Sequence, residues 1–356
     1  MRRHGLLVTL ILIPLLVVGA DSLVWLLACR QVQTVFQHWI AARRAEGWQV
    51  TAGTERLAGW PFAALVRIGG FTISGGDSML PGGLSWHSER LALRLSLASP
   101  GHLELLPAGL QTLRLFGSPA IVAAAHHISA VVRFAALPFI AGPTPDKGLL
   151  ITATEVHIRQ ARSRADLITA QSVALHAMPA RPPAGDAPSG PSLKFDATEI
   201  AIPHEEVPAL GPTIGILSFS GALIHQVPAG TNWTSRLAAW RDHGGMVALR
   251  GFSLVWGPLA IGASGRLTLD PNLQPSGQAT ARIVGYAATL DALASAGRIG
   301  SGVATAAKAL LTLLARPSSA SGPPEVDVPL SLEGRTLRLG QIPLLELPAM
   351  SWPSGS

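Results

Sequence analysis

A single apolar run near the N-terminus constrains this chain most, because it can form a helix long enough to cross a bilayer. The run covers residues 5–28, and Asp21 is the one charged side chain among its 24 residues. At about 1.5 Å per residue, such a helix spans a hydrocarbon core roughly 30 Å thick. Residues 2–4 (Arg, Arg, His) precede the run, and flanking positive charge favours a cytoplasmic N-terminus. The sequence therefore predicts a single-pass anchor, with the rest of the chain in the periplasm if the source is bacterial.

The predicted membrane anchor covers residues 1–30 and includes Leu6 and Leu15 among its apolar positions. Trp25 stands near its outer end. Indole rings favour the boundary between membrane and water, so we expect Trp25 to mark that boundary.

Two processing alternatives remain open for this segment. A cleaved signal peptide has a shorter apolar stretch of about 7–15 residues and a small-residue cleavage site, and no Ala-x-Ala precedes residue 40. A lipoprotein signal is a closer rival, because residues 26–29 (LLAC) approximate a lipobox and Cys29 is the only cysteine. A charge inside the apolar run and Arg30 directly after the cysteine argue against lipidation.

Residues 31–47 are predicted to continue as an amphipathic helix that ends at Gly47. Apolar side chains recur at i, i+3, i+4, i+7 and i+8 and line one face: Val32, Val35, Phe36, Trp39 and Ile40. This helix could lie on the outer leaflet or cap a sheet, and capping is favoured because strand-like sequence follows at once. Trp48 and Trp60 are expected to be packing residues rather than interfacial ones.

From Trp48 onward the hydrophobic period changes from about 3.6 to 2. The clearest case is residues 91–97, where leucine takes every odd position and forms a candidate apolar sheet face: Leu91, Leu93, Leu95 and Leu97. Similar alternation recurs at 63–74, 110–116, 128–134, 149–158, 167–176, 193–202, 214–226, 246–256, 265–269, 278–284, 326–332 and 336–342. Many strands joined by short turns favour extended antiparallel sheet over a doubly wound α/β fold.

The fold class predicted is mainly β (α+β): a transmembrane helix followed by extended, curved antiparallel sheets with a few short helices. Helical spacing marks residues 231–243 and 286–315. A stretch rich in Pro, Gly and Ser at 179–192 reads as a flexible linker. It divides the body into a first β-rich part, 48–178, and a second, 193–356, which carries the short helices.

The sequence offers no catalytic, cofactor-binding or metal-binding motif, and we expect no enzyme. The nearest approach to a nucleophile elbow, residues 262–266 (GASGR), has Arg where the motif needs Gly, so a turn is expected there. The net charge of +6 is spread along the chain without a dense basic cluster, which argues against nucleic acid as a partner. One cysteine excludes an intrachain disulfide.

Short stretches along almost the whole chain carry a family resemblance. They are residues 39–50 (WIAARRAEGWQV), 59–62 (GWPF), 264–270 (SGRLTLD), 277–285 (GQATARIVG), 328–332 (VPLSL) and 334–344 (GRTLRLGQIPL). Together they resemble the DUF2125 family of uncharacterised bacterial membrane-anchored proteins, and they are also similar to the wider AsmA-like group of envelope proteins. The resemblance implies an inner-membrane anchor, a β-rich periplasmic body and a role in envelope lipid handling or outer-membrane assembly. It carries no catalytic residues.

Two functions of different kinds follow from these features. A sheet with one apolar face must bury it against a helix, another sheet or a ligand. If the face is an open groove, membrane lipids are the expected partners and the protein binds or shields lipid. If it is a closed core, the protein is a structural scaffold whose surface binds other envelope proteins. The sequence leaves both open, together with a less favoured third, an envelope hydrolase.

Overall fold

The computed structural model describes residues 2–76, 81–98, 101–115, 118–134, 145–163, 165–180, 190–202, 209–230, 232–317, 323–339, 342–350 and 352. Within these ranges the chain forms one large antiparallel sheet of 18 strands and four helices. This architecture confirms the mainly β fold predicted from the alternating apolar pattern.

The first helix, α1 (Arg2–Ala45), joins the predicted anchor and the predicted amphipathic segment in one continuous element. It ends where the sequence predicts, because Gly47 adopts a left-handed conformation with φ +88°. The Trp48 N–H then donates to the Arg43 carbonyl at 3.0 Å, which satisfies one of the helix's last carbonyls.

The strands follow one another as a meander. Their bounds are β1 (Gln49–Ala52), β2 (Glu55–Ala58), β3 (Ala63–Gly75), β4 (Leu84–Ser96), β5 (His102–Leu115), β6 (Ile121–Ala124), β7 (His127–Phe134), β8 (Pro145–Gln160), β9 (Asp166–Met178), β10 (Ser192–Ala201), β11 (Thr213–Leu223), β12 (Val247–Trp256), β13 (Leu259–Leu269), β14 (Pro275–Val284), β15 (Arg316–Pro317), β16 (Pro324–Glu333), β17 (Thr336–Leu339) and β18 (Ile342–Glu346). The shorter helices are α2 (Trp233–Asp242), α3 (Tyr286–Ser295) and α4 (Ser301–Leu314).

Every recorded strand pair is antiparallel, and most strands pair with the next one along the chain. The short strands β1 and β2 both flank β3, and β6 and β7 both lie between β5 and β8. The sheet continues across the stretch rich in Pro, Gly and Ser, since Leu175 of β9 lies directly opposite Phe195 of β10. Residues 181–189 of the predicted linker lie outside the described residues.

Local sequence accounts for most boundaries. The helix expected at 231–243 forms as α2, begun by Asn232, whose side chain accepts from the Ser235 N–H at 3.0 Å. The helical region expected at 286–315 holds two helices, α3 and α4. The turn expected at 262–266 is wrong, because β13 runs straight through these residues.

Candidate functional site

The leucine face predicted from sequence lies in a closed core at one end of the sheet. Leu91, Leu93 and Leu95 are at most 2 % exposed, and Leu97 packs partly against them. Helix α1 covers this face. It contributes five buried side chains to the same cluster: Ala28, Cys29, Val32, Phe36 and Ile40. The amphipathic part of α1 therefore caps the sheet, which was the favoured of its two predicted roles.

The same face continues across almost the whole sheet. Residues directly opposite each other in neighbouring strands point to the same side, so the register identifies an unbroken series of apolar positions. We call it the apolar row, and it consists of Val66, Leu93, Leu105, Ala130, Ile151, Leu175, Phe195, Phe219, Phe252, Ala263, Ala281 and Val328. With strands about 4.8 Å apart, the row extends roughly 50 Å along the sheet.

Helices also cover the apolar row at its far end. Ala281 and Val328 are 2 % and 5 % exposed. They pack with Tyr286 of α3 and Leu311 of α4. Helix α2 packs nearby, where Trp233 and Leu237 meet Leu273 beyond the end of β13. Both ends of the row are thus closed by helices.

The middle of the apolar row differs from its ends in how it is covered. Among the described residues, the helix–sheet packing falls on β1, β3 and β4 at one end and on β13 and β16 at the other. Between these ends, the members of the row on β5 to β12 are only partly buried, from Leu105 to Phe252. On the same face Ile168 is 36 % and Leu193 is 40 % exposed. The middle therefore presents an accessible apolar surface.

Side chains in this middle part pack against one another. Val156 and Ile200 are 7 % exposed each. They form a cluster with neighbours on the same side of the sheet, Phe195 and Leu217 among them. In the described part of the chain no helix belongs to this cluster. We call this uncovered middle part of the apolar face the groove.

The opposite side of the sheet carries the charges. Arg94 lies 3.6 Å from Glu104 across β4 and β5, and Arg282 lies 3.1 Å from Asp327 across β14 and β16. The hydrogen bond to Asp327 raises the pKa of Arg282 above its ordinary value, and the nearby carboxylates reinforce this effect. The apolar row itself contains no ionisable residue, so the groove offers an occupant dispersion and apolar burial rather than charge.

The structure describes the side chains of two of the three predicted anchor residues, and their environments differ. Leu15 is 69 % exposed, and the side chain of Leu6 lies outside the described part of the chain. Trp25 is half-buried, and its indole N–H donates to the Ala63 carbonyl at 3.0 Å, so it packs on the sheet. The helix is long and apolar enough to span a membrane.

The other two tryptophans near the anchor also differ from each other. Trp48 is 9 % exposed and belongs to the core beneath α1, as expected. Trp60 is 49 % exposed, so it packs only in part. It lies in the turn between β2 and β3, against α1.

Polar chemistry is sparse in the described residues. No group of three or more His, Cys, Asp or Glu side chains among them could hold a metal ion. Cys29 is fully buried between α1 and the sheet. A lipid attached to its sulfur would have to leave this core, which adds an argument against the lipoprotein alternative.

Comparison with known proteins identifies one family. The family model described as DUF2125, uncharacterized protein conserved in bacteria, matches residues 25–348. No curated protein and no solved structure matches the chain. The matched region begins at Trp25, where α1 meets the sheet, and includes all 18 strands.

Proposed function

Since the chain belongs to the DUF2125 family of proteins conserved in bacteria, we propose that it serves the bacterial cell envelope as an inner-membrane protein that binds or shields lipid. Helix α1 would cross the inner membrane with its N-terminus in the cytoplasm. The basic residues 2–4 support this orientation. The sheet would then lie in the periplasm.

The observation that carries the proposal is the uncovered middle of the apolar row. Soluble proteins rarely leave large contiguous apolar surfaces in water unless these surfaces bind something. The two ends of the row are buried by helices, whereas Phe195, Phe219 and Phe252 between them are only half-buried. An occupant that complements such a floor is apolar and elongated.

An acyl chain has the required chemistry. Each buried methylene contributes about 0.8 kcal/mol, so a long chain can be held without any charged group in the groove. The charges on the opposite side of the sheet keep that side in water. No step of this function needs a catalytic residue, and binding alone is proposed.

A scaffold that binds envelope proteins is the second candidate, and helix α4 favours it. One side of α4 packs on the sheet through Leu311, and Ala304 of α4 is also buried. Its other side is apolar and open to solvent. Leu313 is 84 % and Val303 is 65 % exposed. Such a helix surface is of the kind that docks on another protein.

Site-specific crosslinking separates the two functions. The photoreactive residue p-benzoylphenylalanine, placed at Phe195 of the full chain in living bacteria, should form lipid adducts detectable by mass spectrometry. Lys194 is the matched control, because it is the neighbouring residue on the opposite side of the sheet. Absence of lipid adducts at Phe195 in folded protein, or defined protein adducts there, would contradict lipid binding.

A further inference from the structure

The turn between β2 and β3, residues 59–62 (Gly-Trp-Pro-Phe), lies where α1 changes its surroundings. N-terminal to the residues that contact this turn, the described part of α1 does not pack on the sheet, and Leu15 and Leu16 are 69 % and 64 % exposed. C-terminal to them the helix is packed on the sheet, since Ala28 and Cys29 are buried. The turn therefore sits at the boundary between the free and the packed parts of α1.

Two indole hydrogen bonds join the turn to the helix in opposite directions. Trp60 donates from Nε1 to the Ser22 hydroxyl at 3.2 Å. Trp25 of the helix donates from Nε1 to the carbonyl of Ala63, the first residue of β3, at 3.0 Å. These bonds hold Trp60 at the height of Ser22 along α1.

The turn itself is tightly built. Gly59 has φ +91°, and a Cβ there would come within 2.5 Å of the Ala63 carbonyl oxygen, so this position requires glycine. The Gly59 carbonyl accepts from the Ala63 N–H at 3.0 Å. A closed turn of this kind presents Trp60 and Phe62 in a defined arrangement.

The side chains that the turn presents are apolar and open. Phe62 is 83 % exposed, Trp60 is 49 % exposed and Leu57 on β2 is 36 % exposed. No charged residue occurs in residues 57–66. Exposed Trp and Phe in a stretch that contains no charged residue are typical of residues that enter the interfacial region of a bilayer.

The length of α1 places this turn at a bilayer boundary. Along the helix, Arg3 and Ser22 are separated by about 29 Å, which is close to the thickness of the hydrocarbon core, roughly 30 Å. With Arg3 at the cytoplasmic boundary, Ser22 and the turn bonded to it reach the opposite boundary. Helix and turn then meet the same membrane surface.

We propose that residues 59–62 are a second membrane contact, which inserts Trp60 and Phe62 into the periplasmic leaflet beside α1. The inference rests on the proposed membrane anchor. The sheet is packed on α1, so helix and sheet move together, and an anchor helix alone leaves both free to tilt relative to the membrane. A second contact, bonded to the helix at Ser22, fixes the orientation of the sheet relative to the membrane.

Crosslinking from two equally exposed positions tests this contact. In the full chain, reconstituted in vesicles of phosphatidylethanolamine and phosphatidylglycerol, p-benzoylphenylalanine replaces either Phe62 or Leu313. Leu313 is the matched control, because it is 84 % exposed and lies on α4 rather than beside α1. We expect a several-fold higher yield of phospholipid adducts at position 62.

Equal yields at the two positions, or adducts with protein instead of phospholipid at position 62, would overturn the second contact. The proposed anchor and lipid groove are judged separately. Retention of the chain in alkali-washed membranes reports on the anchor, and lipid adducts at Phe195 report on the groove. If position 62 gives no excess of phospholipid adducts while membrane retention and the lipid adducts at Phe195 persist, only the second contact is refuted.

Discussion

Phe219 of β11 and Phe252 of β12 lie directly opposite each other near the middle of the apolar row, and both rings are half-buried. Their neighbours along the row at each end of the sheet are buried by helices, as Leu93 and Val328 are. The two phenylalanines therefore mark a part of the face that no helix of the described chain covers. Substitutions here should affect binding more than folding.

Phe252→Asp should abolish lipid binding and leave the chain folded. A carboxylate on the floor of the groove would have to lose its water when an acyl chain enters, which opposes binding. The loss of a half-buried ring costs about 1 kcal/mol of folding free energy. Lipid that copurifies with the full chain, measured by mass spectrometry, reports on the first effect, and thermal melting reports on the second.

Ser253→Asp is the matched control, because the adjacent side chain points to the opposite side of the sheet. It introduces the same charge without touching the groove, so lipid binding should persist. If both variants retained lipid equally, the uncovered face would not be the binding surface.

Leu93→Ala should destabilise the chain strongly, and Arg94→Ala should not. Leu93 is 2 % exposed in the core beneath α1, so its truncation should cost about 2–5 kcal/mol. Arg94 makes one exposed ion pair with Glu104, and its loss should cost roughly 1 kcal/mol or less. The melting temperatures of the two full-length variants in detergent, each compared with the wild-type chain, measure this difference. Similar, small shifts would show that α1 does not close this core.

The alternation in β4 could be read from the sequence because it is local: each leucine follows the previous one by two residues. What covers these leucines could not be predicted in the same way. The cover is α1, whose packing residues such as Val32 and Phe36 lie far from Leu93 along the chain. Whether a sheet face is a core or a groove depends on such distant contacts, so the sequence left both alternatives open.

Other features that the sequence did not predict also depend on contacts between residues distant along the chain, or leave too little local pattern to recognise. Residues 262–265 (GASG) are all small, so they show no alternation, and their place in β13 comes from pairing with both neighbouring strands. Strands as short as β15 contain too few residues to show a period. Trp60 packs only in part because it lies in a turn beside α1 rather than within a strand of the sheet.

A topology reporter should place the body outside the cytoplasm. An enzyme that is active only in the periplasm, fused after the last residue of the chain, should be active, because the basic residues 2–4 favour a cytoplasmic N-terminus. Replacement of Arg2 and Arg3 by Glu should reduce that activity by weakening the positive flank. Activity of a cytoplasm-specific reporter at the same position would contradict the periplasmic location.

Cys29 should be neither lipidated nor accessible in the folded protein. The side chain is fully buried between α1 and the sheet, so a maleimide reagent should modify it only after the chain is unfolded. Mass spectrometry of the protein from membranes should recover an intact N-terminal segment that precedes Cys29. Cys29→Ala should leave the protein in the membrane fraction, because the apolar helix rather than an attached lipid holds it there. Radiolabelled fatty acid that is incorporated into the wild-type chain and lost in Cys29→Ala would instead establish the lipoprotein alternative.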